Sequence, residues 1–149
     1  HKHTQTVPLI FDKDFRINNP TYLKDFDLCE NFLTKLKQKF KEKLGEGFII
    51  RALLVKLKNN SAIPPHCDEG MSLSSCNRVH IPIVTNNQVI FTVGEESKYL
   101  KVGEIWEINN AQKLHKVSNS SNKDRVHLIV DWMPQKYAKY PPRLGRLTD

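Results

Sequence analysis

Leu23, Phe26, Leu33, Leu36, Phe40 and Leu44 recur at three- and four-residue steps, and Gly45 and Gly47 close the run. That spacing gathers them on one face and predicts one or two amphipathic helices over residues 19–45. After Gly47 the pattern changes. Residues 48–58 form a strand-like run rich in Ile, Leu and Val, and Asn59, Asn60 and Ser61 supply a turn. Further strands are predicted at 79–84, 89–93, 99–102, 105–108, 113–117 and 126–132. Turn chemistry separates several of them, at Thr85-Asn86-Asn87, at Gly94-Glu95-Glu96 and through 118–124. Short, closely spaced strands after a leading helix, with no second helical pattern, predict a mainly β fold. The expected architecture is an antiparallel sandwich or jelly roll with a leading N-terminal helical segment, and a doubly wound α/β fold is disfavoured. Residues 134–149, with Pro141-Pro142, read as a C-terminal extension lying on or beyond the β core.

A chain of 149 residues suits one hydrophobic core, so one domain over 1–149 is expected, with 19–45 as helical support and 48–133 as the β core. No apolar run is long enough for a bilayer-spanning helix, and the start lacks the apolar core of a secretory signal, so a cytoplasmic location is expected. His1-Lys2-His3 reads as either a tag remnant or a native start and carries no functional signal. Cys29, Cys67 and Cys76 are odd in number and show no CxxC spacing, which argues against a disulfide framework or a zinc knuckle. The formal net charge of +7 raises the question of nucleic acid. Much of that excess lies in Lys35, Lys37, Lys39, Lys41 and Lys43 within the predicted helix, where a solvated helix face is the simpler reading and an acidic partner the alternative.

Candidate chemistry begins at His66-Cys67-Asp68, which follows Pro64-Pro65 at the end of a predicted strand. In extended chain, residues i and i+2 point to one side, so the imidazole and the carboxylate converge. His115, in another strand-like segment, is the natural third ligand. Two histidines and one carboxylate leave positions open on an octahedral ion, the arrangement of non-haem Fe(II) oxygenases; such a site also accepts Mn, Co, Ni or Zn. Arg125 opens the apolar strand 126–132. Two readings of it stand together: a surface arginine after a polar loop, or a buried guanidinium whose fork meets a dicarboxylic co-substrate. Arg78 and His80 share one strand face, and His127 shares a face with Arg125. Each histidine taken singly reads as a core or surface imidazole, and the shared parity with the arginines is what suggests anion recognition.

The segments IPPHCDEG, NRVHIPI, VGEIWEINNAQKLHKVSN and DRVHLIVDW, in that order between Arg51 and Met133, resemble the aspartyl/asparaginyl β-hydroxylase family of 2-oxoglutarate oxygenases. The resemblance implies a double-stranded β-helix, a cupin-like jelly roll, with iron held by His66, Asp68 and His115. It further implies that Arg125 binds the distal carboxylate of 2-oxoglutarate, and that His80 with Arg78 lies near the iron-proximal carboxylate or the substrate. The implied cofactors are Fe(II), 2-oxoglutarate as co-substrate and O2, with succinate and CO2 as co-products. Animal members lack the carboxylate that Asp68 provides here, which sets this chain with the bacterial members.

The expected substrate is a small molecule or an amino-acid or peptide side chain with an unactivated C–H bond. Basic groups such as Arg78 or those of the tail would hold an anionic substrate, and residues 69–77 or the tail would supply a lid. Three other readings stay open: a jelly-roll metal enzyme that does not use 2-oxoglutarate, a basic non-catalytic binding module, and an oxygenase acting on lipid acyl chains. Nucleic acid is not an expected partner, and oligomeric state has no signature in the sequence.

Overall fold

The computed structural model describes residues 2–13, 20–136 and 139–149. In chain order its elements are β1 (Thr4–Phe11), β2 (Thr21–Tyr22), a 3-10 turn (Lys24–Leu28), α1 (Glu30–Leu44), β3 (Gly47–Leu57), β4 (Ser61–His66), α2 (Met71–Ser75), β5 (Asn77–Val84), β6 (Val89–Val93), β7 (Glu96–Lys98), β8 (Trp106–Ile108), β9 (His115–Asn119), β10 (Arg125–Pro134) and β11 (Leu144–Arg146). The fold is mainly β. A seven-stranded antiparallel sheet runs β11-β8-β5-β10-β3-β1-β2, and a four-stranded sheet runs β4-β9-β6-β7.

The parity of β10 explains how the layers stack. Leu128, Val130 and Trp132 point to one side, where they join Leu33, Leu36 and Phe40 of α1 in a single core with Leu9, Ile49, Ala52 and Val79. Burying each large apolar side chain of that helix stabilises the fold by about 1.5–3 kcal/mol. Arg125, His127 and Asp131, on the alternate parity, face the smaller sheet. Both faces of β10 are covered, which is why its burial is nearly continuous. The second core, with Leu57, Trp106 and Ile108 from the large sheet and Ile63, Phe91 and Val117 from the small one, joins the sheets face to face.

α1 ends where Gly45 takes φ +89°, with its N–H donated to the Lys41 carbonyl at 3.1 Å. Two residues later, Gly47 lies so close to the Met133 carbonyl that any Cβ there would collide with it. Helix, turn and strand are thereby pressed against the end of β10, and Trp132 seals the corner by donating Nε1–H to the Gly45 carbonyl at 3.1 Å.

Several expectations need correction. The helix does not lead: β1 precedes it and pairs with β3 in the main sheet, and α1 begins at Glu30. The expected helical start at Asn19 lies outside the described residues, and residues 24–28 form a 3-10 turn rather than a second α-helix. A short second helix, α2, follows the HCD motif. Ser61 opens β4 instead of closing a turn, and residues 99–102 form no strand, the chain placing β7 at Glu96–Lys98. In the tail, β11 pairs with β8 at the sheet edge. The five lysines of α1 do not share a face: steps of two turn a helix by about 200°, and Lys37 and Lys39 are half-buried while Lys35, Lys41 and Lys43 are exposed.

Candidate metal centre and anion pocket

β4 is an edge strand, and Pro64-Pro65 sit where its ladder with β9 shifts register between Ile63 and His66. Proline gives no ladder N–H, so an edge position at an irregularity is where two of them are tolerated. The shift brings His66 opposite His115, with ring centroids 4.2 Å apart. Asp68 completes the group: one ligand atom from each of His66, Asp68 and His115 lies within 4.8 Å of the others. Asp68 Oδ1 is 3.5 Å from His66 Nε2 and 3.8 Å from His115 Nε2.

The tautomers suit a cation. His66 Nδ1 lies 2.9 Å from the Pro64 carbonyl and His115 Nδ1 lies 3.5 Å from the Lys113 carbonyl. A carbonyl only accepts, so each Nδ1 carries a hydrogen and each Nε2 is the ring nitrogen turned toward Asp68. Burial lowers the His115 pKa, opposed by Asp68 and reinforced by His66, which favours the neutral, ligating imidazole.

A cavity of about 220 Å3 opens beside the triad. Leu53, Val55, Ile63, Phe91, Val117 and Ile129 make its walls apolar, Thr4 and Thr6 of β1 stand at one side, and Arg78, His80 and Arg125 also line it. Arg125 is 1% exposed, yet its Nε and Nη1 have no hydrogen-bond partner. Burial pulls its pKa down to about 10, and among the described residues no carboxylate pairs with it. His127, also buried, leaves Nε2 unpartnered, while its Nδ1 lies 3.2 Å from His80 Nδ1. Burial, followed by the nearby Arg125, pushes both imidazoles well below the usual histidine range, so both are neutral and one hydrogen is shared between the two Nδ1 atoms.

Arg78 reaches the same cavity but is engaged. Nη1 donates to Asp68 Oδ2 at 2.7 Å, and Nε and Nη2 each donate to the Asp131 carboxylate at 2.8 Å. Arg51 Nη1 meets Asp131 Oδ2 at 2.5 Å, and Arg51 Nη2 reaches Ser72 Oγ at 2.9 Å. Burial pushes the Asp131 carboxyl up, but Arg78 and Arg51 outweigh it and hold the carboxyl below its ordinary value.

Six of the seven residues singled out in the sequence line one cavity, and the seventh, His127, touches it through His80. His66, Asp68 and His115 gather at one point, Arg125 lines the cavity without a partner, His80 and His127 form a pair, and Arg78 is tied to carboxylates. Sequence reasoning missed Arg51, Asn110 and Asp131. Asp131 shares parity with Arg125 and His127 along β10, a signal open to the same i, i+2 argument; Asn110 and Arg51 carried none.

The described side chains fit an Fe(II)/2-oxoglutarate pair by two observations independent of any likeness: three converging N and O donors, and a buried guanidinium without a counter-charge. The profile of the aspartyl/asparaginyl β-hydroxylase family matches residues 23–134. Among solved structures, an oxidoreductase of the 2OG-Fe(II) oxygenase family from Burkholderia pseudomallei superposes with a TM-score of 0.70 at 15% identity, covering 91% of this chain and 71% of that one. The nickel(II) complex of the bacterial pirin YhhW from Escherichia coli gives 0.54 at 12% identity, covering 98% of this chain and 51% of that one. Both likenesses are of fold. No curated protein sequence matches the chain. On the span of the family match, the chain belongs to the aspartyl/asparaginyl β-hydroxylase family and is an oxygenase of the hydroxylase type.

Proposed function

We propose that the chain is a non-haem Fe(II)- and 2-oxoglutarate-dependent hydroxylase acting on an unactivated C–H bond of a small molecule or an amino-acid or peptide side chain. The two sheets form a double-stranded β-helix that serves as one catalytic domain, with α1 as its support. The observation that carries the reading is Arg125, a buried cation without a partner among the described residues, on the wall of the cavity that also holds the His66, Asp68 and His115 group.

His66 and His115 would hold iron through Nε2 and Asp68 through Oδ1. Arg125 would receive the distal carboxylate of 2-oxoglutarate in a charge-assisted pair, relieving the cost of a buried, unpaired guanidinium. His80, neutral on the cavity wall and sharing one hydrogen with His127, orients the anion without adding charge. With iron, 2-oxoglutarate and O2 bound, the group supplies oxidative decarboxylation coupled to C–H hydroxylation, giving succinate and CO2. The protein's share is to place the target carbon and to exclude water, for which Leu53, Val55, Phe91, Val117 and Ile129 form the wall.

Among the described residues no helix is long and apolar enough to cross a membrane. The test is succinate release from 2-oxoglutarate with Fe(II), ascorbate and air, alone and with panels of free amino acids and short peptides. Release that needs His115 and rises with one substrate class supports the reading. No release from folded, iron-loaded protein with any panel contradicts it.

A further inference from the structure

The three candidate ligands are not held alike. His66 and His115 are seated on strands, whereas Asp68 lies beyond the end of β4, in the segment before α2. Strand parity therefore does not aim its carboxylate. Hydrogen bonds do. The Asp68 N–H donates to the Asn110 carbonyl at 2.9 Å. Asn110 Nδ2 donates back to Asp68 Oδ2 at 3.1 Å and to the Leu73 carbonyl at 3.1 Å, tying the Asp68 segment to α2. Arg78 Nη1 takes the same Oδ2 at 2.7 Å.

Both side-chain donors thus engage Oδ2, while Oδ1 is the oxygen turned to His66 and His115. Arg78 has little freedom of its own, because its other two nitrogens are forked onto Asp131, which is fully buried and also held by Arg51. Each of the three guanidinium nitrogens already meets a carboxylate.

We propose that Arg78 and Asn110 are positioning residues for the metal, acting through Asp68, with Asp131 as the anchor that aims Arg78. By occupying Oδ2 they leave Asp68 one coordinating oxygen, so the carboxylate would take a single position beside the two imidazoles and leave the others for ligands from solution. This assigns Arg78 a part different from the co-substrate contact expected from the sequence, and it rests on reading the triad as a metal site.

The probe is Co(II) alone, titrated into metal-free wild type, Arg78→Lys and Asn110→Ser, with affinity and the visible ligand-field bands as readouts. Metal-free thermal unfolding and 2-oxoglutarate affinity are measured beside them. Lysine keeps the charge but cannot fork Asp131 and reach Asp68 together. The expected result is a loss of about 10- to 100-fold in Co(II) affinity in each variant, with altered bands and a retained cooperative metal-free transition in at least Asn110→Ser. Wild-type Co(II) affinity and bands in both variants overturn the proposal, more so if Arg78→Lys weakens only 2-oxoglutarate. Affinity lost only together with the metal-free fold, in both variants, overturns it too. A wild type that binds no Co(II) removes the metal-site reading itself, an outcome distinct from either.

Discussion

Arg78 and Arg125 face one cavity from neighbouring strands of one sheet, and the chain has treated them in opposite ways. Around Arg78 it places Asp68 and Asp131; burial pulls the guanidinium pKa down, but the two carboxylates, Asp131 foremost, hold it above its ordinary value. Around Arg125 it places no carboxylate among the described residues, and burial pulls the pKa down to about 10. A buried charge is costly unless it is paired. The saturated arginine is thus explained by the folded chain, whereas the unsaturated one points to a partner that arrives from solution. The triad repeats the contrast on a smaller scale: Asp68 Oδ2 is filled by protein donors, and Oδ1 is left for a cation.

The largest effect that would break the comparison is at Asp131. Asp131→Ala leaves Arg51 and Arg78 without their shared carboxylate, and a loss of about 3–5 kcal/mol in unfolding free energy is expected in urea titrations. Arg125→Met should do the reverse to stability, leaving the unfolding midpoint unchanged or higher, since it removes an unpaired buried cation. The same variant should weaken 2-oxoglutarate binding by at least about 30-fold, equivalent to about 2 kcal/mol, measured by calorimetry on Co(II)-loaded protein. A large fall in stability with unchanged 2-oxoglutarate affinity would erase the distinction between the arginines. His127→Phe sharpens it: His80 loses the hydrogen bond that orients it, which should cost about 3- to 10-fold in 2-oxoglutarate affinity, in keeping with about 1 kcal/mol per neutral hydrogen bond.

The smallest expected effect concerns a buried charge outside this cavity. Burial raises the Glu107 pKa from 4.5 to about 7, against the hydrogen bond that Asn77 donates at 2.6 Å. A carboxyl whose folded pKa is raised contributes stability that is fully present below about pH 4.5 and is lost as pH climbs through about 7. Glu107→Gln should flatten that slope in unfolding free energies measured across the interval. An unchanged slope would show that Glu107 ionises in the fold as it does in the unfolded chain.

Much of this was legible in the sequence because periodicity carried it. The change of period at Gly47 and the strands around 79–84, 89–93 and 126–132 follow from short apolar runs bounded by turn residues; burial alternates in β6, while β5 and β10 are largely buried on both faces. β1 escaped because its first half is largely exposed and it joins the sheet by pairing with β3 across a long stretch of sequence. β11 escaped because a three-residue edge strand has too few positions to show a period. The site divides along the same line. His66 and Asp68 announce themselves as neighbours, but Asp68 is aimed by Asn110, 42 residues away, and by Arg78, whose own anchor lies 53 residues beyond it. No local pattern encodes such pairings.

The most direct measurement is an anaerobic titration of the Fe(II)-loaded protein with 2-oxoglutarate, following the weak visible charge-transfer band of a chelated 2-oxo acid in wild type, His115→Ala and Arg125→Met. The account requires a band in wild type, none in His115→Ala, and in Arg125→Met a band that appears only at much higher 2-oxoglutarate. No band in folded, iron-loaded wild type, or the same 2-oxoglutarate dependence with and without Arg125, would contradict it.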